Sequence, residues 1–159
     1  MKFKLIVIFF IIFISKNLYS GETSEWLKRE IDIILEAYKN QNISNENRFL
    51  LIEKTINNNF AGTGIAKFVA GEAWKKSDKN TKKIYIDNFK RHLALNIASM
   101  MQGYSDQTYE LTKSKYDQKN QVTLIDMEIF SDTGSVVVTW RVKESKDRFF
   151  VIDLIVADI

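Results

Sequence analysis

The hydrophobic period changes once along this chain, near Gln107, and that change restricts the fold more than any other feature. Before it, apolar residues recur every three or four positions, and after it they alternate. A helix buries a stripe and a strand buries a face, so a helical first half must pack on a stranded second half. No repeat or low-complexity linker separates the halves, and 159 residues suit one domain. The expected class is α+β, with N-terminal helices on a C-terminal antiparallel sheet.

Four helical segments are expected. The first spans Ser24 to Asn40, with Leu27, Ile31, Ile34, Leu35 and Tyr38 on one stripe. The second begins at the N-cap Ser44 and carries Phe49, Ile52, Ile56 and Phe60. A short helical turn covers Thr63 to Val69, with Gly71 near its exit. The fourth is read as the longest, capped by Asp78, striped by Ile86, Phe89, Leu93, Ile97, Met101 and Tyr104, and ended near Gly103.

Three or four strands follow. Gln107 to Thr112 is a short one, and Val122 to Phe130 is longer. The apolar phase of the latter shifts between Leu124 and Ile125, which predicts a bulge or a strand covered on both faces. Asp132-Thr133-Gly134 signals a hairpin turn. Val136, Val138, Trp140 and Val142 then alternate cleanly with a mostly polar set, and Glu144 to Asp147 turns the chain. Phe149 to Val156 is apolar on both faces except at Asp153, which predicts a central position.

The first twenty residues read as an address. Lys2 and Lys4 precede ten unbroken apolar residues, Leu5 to Ile14, and Leu18-Tyr19-Ser20 suits cleavage before Gly21. Ten residues rise about 15 Å as a helix, half of a hydrocarbon core. Residues 1–20 are therefore expected to be a cleavable secretory signal, and 21–159 the working domain. The signal also explains the net charge of +3. It holds Lys2, Lys4 and Lys16 and no acid, so the remainder carries 20 basic and 20 acidic side chains. A formally neutral domain has no overall field to steer it onto nucleic acid.

Catalytic signals are sparse. With no Cys, the chain has no disulfide, thiol catalysis or cysteine metal site, and one His rules out paired-His metal ligation. His92 flanks the helical stripe as a surface residue. Asp126 and Asp153 sit among apolar strand neighbours, where a carboxylate could act as a base in a small enzyme on an apolar ligand. Lys75, Lys76, Lys79, Lys82 and Lys83 form a basic cluster, read as a solvated face with a headgroup or partner contact as the alternative. Phe60, Phe68, Trp74, Phe89, Trp140 and Phe150 could all face the helix–sheet layer. The residues alone thus describe an exported α+β binding domain with no visible catalytic apparatus.

A resemblance extends this reading. Phe60, Ile65, Ala66, Phe68, Val69, Gly71, Trp74, Asp78, Tyr85 and Phe89 keep the order and spacing of the MlaC family of periplasmic phospholipid carriers, also called toluene-tolerance auxiliary proteins. Arg48 matches the basic residue opening the helix before Phe60, and Phe150 to Ile155 resembles the family's last strand. The chain departs at Ala61, where the family usually has Asp, and at Lys79, often Pro in the family. It also ends at Ile159 after Ala157-Asp158, where the family runs into Glu-Gly and a further helical segment, so a fragment or a shorter version is expected.

The resemblance implies a helical layer over a curved sheet, similar to nuclear-transport-factor-2-like domains, with a lipid cavity between the layers. It implies a monomeric, non-enzymatic carrier with phospholipid as cargo and no cofactor or metal. Its implied partners are an inner-membrane Mla-type ABC transporter complex and an outer-membrane lipoprotein with its porin. The expected lining is Phe68, Leu93, Ile97, Met101, Val138, Trp140, Phe150, Ile152 and Leu154, from the inward faces of the fourth helix and the last two strands.

Overall fold

A computed structural model describes residues 3–102, 104, 107–132 and 134–157, with side chains from residue 21 to residue 156 where the backbone is described. The helices are α1 (Phe3–Lys39), α2 (Asn45–Asn59), α3 (Gly62–Ala70), α4 (Glu72–Lys76) and α5 (Lys79–Met101). The strands are β1 (Thr108–Asp117), β2 (Val122–Ser131), β3 (Gly134–Ser145) and β4 (Arg148–Ala157). They form one antiparallel sheet in the order β1-β2-β3-β4. The expected α+β class is thus the observed one. Several expectations concern positions outside the described residues or side chains: the export signal in residues 1–20, the helix end at Gly103, Thr133 of the hairpin turn, and the terminus after residue 157.

Local chemistry explains the helix boundaries. Ser44 accepts from the amide of Asn47 to open α2, and Asp78 accepts from Asn80 and Thr81 to open α5. Gly71 joins α3 to α4 at φ +53°, a backbone that glycine adopts freely. Arg48 closes α1 from the next helix. Its Nε donates to Ala37 O in the last turn at 3.0 Å and its Nη2 to Asn40 O just beyond the helix at 2.9 Å, adding donors where a helix end lacks its own.

The structure corrects three expectations. Helix α1 begins at Phe3 rather than Ser24, while over residues 21–159 α5 is the longest helix, as expected. Strand β1 continues to Asp117 rather than stopping at Thr112. Its second half, Lys113 to Asp117, is polar because it lies on an edge strand, where exposed lysines discourage further pairing. The phase shift in β2 follows the second of its two expected causes, a strand covered on both faces: its register with β3 is unbroken, and Val122 and Thr123 are both buried. The register shifts fall instead at Leu111/Lys113 and at Arg141/Val142.

Strand β4 is an edge strand, not a central one. Its two apolar faces have another cause. The α2–α3 linker pairs with it through a Phe60–Val151 bridge, and Ala61 N donates to Val151 O at 2.9 Å. The edge is therefore covered locally.

The core lies where α1, α2 and α5 meet the inner face of the sheet. Leu27, Ile52, Ile56, Ala94, Ile125, Val142 and Val151 are buried there together.

Candidate functional site

A narrow gap remains inside this core. Trp26, Leu27, Ile31 and Ile34 of α1 line it, with Ile52, Ile56 and Asn59 of α2, Phe60, Ile97 of α5, and Trp140 and Val151 of the sheet. These residues meet because the α1 and α2 stripes repeat every three or four positions, while β3 and β4 present alternate residues inward. The volume is about 70 Å³.

Contacts hold the gap closed on three sides. Tyr109 Oη donates to Asp32 Oδ1 at 2.5 Å, tying α1 to β1. The Trp26 and Phe149 rings lie 5.5 Å apart between α1 and β4. Asn59 Nδ2 donates to Glu30 Oε2 at 2.6 Å, joining α2 to α1. Burial pushes the Tyr109 phenol well above its ordinary range, and the facing Asp32 carboxylate adds to the shift. Burial also acts to raise the Asp32 carboxyl, but hydrogen bonds from Lys28 and Tyr109 outweigh it and leave the group below its usual value.

The fourth side is looser. Beyond Ile97, the inner face of the sheet runs past the helices, so that Val136 and Val156 are 45% and 57% exposed. Among the described residues, no hydrogen bond joins α5 to the sheet. An apolar sheet surface thus continues out of the gap toward the C-terminal end of α5.

The expected lining residues divide by location. Ile97 and Trp140 line the gap. Leu93, Val138 and Leu154 pack against the surrounding core. Met101 lines a separate groove with Tyr38, Arg48 and Phe49. Phe150 and Ile152 line a hollow beside Gly62 and Lys90, at the covered edge of β4. Phe68 points away from the core and is 87% exposed, because the buried face of α3 is carried by Gly62 and Ala66. Sequence reasoning missed the share of α1 and α2. Their stripes were visible, but a stripe does not say whether it closes on a neighbour or borders a void.

The other candidates fall elsewhere. His92 is exposed. Asp126 accepts from Thr139 Oγ1 at 2.7 Å, and Asp153 pairs with Arg141 at 3.0 Å. The register places both acids on the sheet face opposite Ile125 and Trp140, away from the gap. The lysine cluster is largely engaged: Lys75 pairs with Glu72, Lys83 with Asp87, and Lys82 sits over the Trp74 ring. Among the described residues, no acid–histidine group could hold a metal ion, and no helix is long and apolar enough to cross a membrane.

Comparison with known proteins gives this geometry a context. Residues 28–159 match the family model described as MlaC protein. Among solved structures, the chain is similar to a phospholipid-binding protein from Ralstonia solanacearum, determined in complex with a phospholipid. The TM-score is 0.74 at 16% identity, over 85% of this chain and 78% of that one. No curated protein matches.

Proposed function

The chain belongs to the MlaC family, and we propose that it is a periplasmic carrier of glycerophospholipid. In this reading it takes up acyl chains between helices and sheet and passes the lipid between outer and inner membranes within an Mla-type ABC transport system. The export signal expected in residues 1–20 supports the compartment. The observation that carries the reading is the apolar gap between the layers, in a fold shared with a protein solved with phospholipid bound.

The size of the gap sets the mechanism. A cavity of about 150 Å³ holds one benzene, so about 70 Å³ is too small for an acyl chain. Loading requires α1, α2 and α5 to move away from the sheet. The side bordered by Ile97, Val138 and Leu154 is where that movement breaks the fewest polar contacts, and the exposed Val136 and Val156 extend the apolar track outward. Burying roughly thirty methylenes at ~0.8 kcal/mol each exceeds the practical affinity ceiling of about 18–21 kcal/mol relative to water. Release into water is then too slow to serve transport, and exchange calls for docking to membrane partners.

Lipid extraction and mass spectrometry of the purified protein test the proposal. Near-stoichiometric glycerophospholipid is expected. Repeated preparations without any, together with no uptake from lipid vesicles, overturn it.

A further inference from the structure

Trp140 combines two observations. It lines the helix–sheet gap, and its indole Nε1–H is sealed from solvent without a hydrogen-bond acceptor. Buried tryptophan N–H groups normally find one, since leaving the donor unmet costs stability. Among the described residues it is the single buried side-chain polar atom in this condition.

The surroundings limit what can meet it. No Lys or Arg lines the gap, and the charged residue that does, Glu30, already accepts from Asn59. A phosphate there would be an unpaired buried anion near a carboxylate, which is strongly unfavourable. The remaining acceptor chemistry is neutral. In a diacyl glycerolipid the neutral acceptors at the boundary between chains and headgroup are the ester carbonyls.

We propose that Trp140 Nε1–H donates a hydrogen bond to an acyl ester carbonyl of the bound lipid, making the protein selective for ester-linked over ether-linked glycerolipids. The inference rests on the phospholipid-carrier reading. It places the glycerol region beside Trp140, with the chains along the apolar walls and the headgroup outside.

The test compares dipalmitoyl phosphatidylglycerol with its dihexadecyl ether analogue, each displacing a pyrene-labelled phospholipid from delipidated full-length protein. The wild type is expected to prefer the ester lipid by roughly five- to tenfold, the worth of one buried hydrogen bond. Trp140→Phe keeps a ring but removes the N–H, and should abolish the preference by weakening ester binding alone. Equal wild-type affinity for the two lipids overturns the inference, as it would if water meets the N–H. So does a preference that persists in the variant.

A second measurement uses the wild-type fold. The Trp140 indole ¹H–¹⁵N peak, assigned with Trp26→Phe and Trp74→Phe, should move downfield on loading the ester lipid but not the ether lipid. An unmoved peak in the ester complex overturns the proposal. Binding of neither lipid removes the carrier reading itself, and this inference with it.

Discussion

Tyr109 and Asp32, 77 positions apart, form a polar tie between α1 and the edge strand β1. The phenol donates to the carboxylate, and Lys28 bonds the other carboxylate oxygen at 2.6 Å. The tie therefore needs a protonated tyrosine and an ionised aspartate.

Tyr109→Phe should lower stability by about 1 kcal/mol at neutral pH, a modest value because Asp32 is partly exposed. The pH dependence has a definite sign. Asp32 lies lower in the folded state, so its contribution is present above its unfolded value and lost as acid takes the pH down through the folded one. Tyr109 lies higher when folded, so its contribution is present below its unfolded value near 10 and fades as alkali carries the pH up toward the folded one. Urea melts across pH should show the wild-type advantage on a plateau between those limits. An advantage independent of pH contradicts the assignment.

Ala61 opens α3 without a side-chain cap. Ala61→Asp supplies an acceptor to the first free amides of that helix and should raise stability by up to about 1 kcal/mol in denaturant melts. The amide of Ala61 must stay bonded to Val151, which the substitution permits. An unchanged or lower midpoint would mean that the backbone at this position cannot present a cap.

How much of this was legible depended on whether the signal was local. The caps at Ser44 and Asp78 were readable because a cap is decided within four residues. The clean alternation of Val136 to Val142 gave β3, and its register now places Val138 and Trp140 inward. The edge position of β4 was not readable. Its apolar outer side is explained by Phe60 and Ala61, some ninety residues earlier, and no pattern inside β4 reports a distant covering segment. Phe68 failed for the opposite reason. In a nine-residue helix, one stripe position cannot be told from its neighbour by period, and the small residues Gly62 and Ala66 took the buried face.

That contrast is itself testable. Phe68→Ser, at a side chain 87% exposed, should leave stability within about 0.5 kcal/mol and lipid content unchanged. Ile52→Ala, at a side chain only 1% exposed beside the gap, should cost about 2–5 kcal/mol. Thermal melts and lipid quantification on both variants check the pair. A large loss in the Phe68 variant would show that this residue is covered in the working protein.

Ile97 offers the sharpest test of where cargo sits. It reaches the gap from α5, a helix with no hydrogen bond to the sheet among the described residues, and it lines the space together with Trp140 and Val151. Ile97→Trp adds bulk where an acyl chain would enter. Overpacking a filled core usually costs about 1–3 kcal/mol, and a pre-existing gap should hold the cost to the lower end of that range. The variant should therefore fold, with a circular dichroism melt close to the wild type. Its recovered phospholipid should fall by roughly tenfold, as expected for about 1.4 kcal/mol of lost affinity under subsaturating lipid. A folded Ile97→Trp protein that keeps its full lipid load would place the chains elsewhere. The groove around Met101, Tyr38 and Phe49, about 580 Å³ in volume, would then be the site to examine.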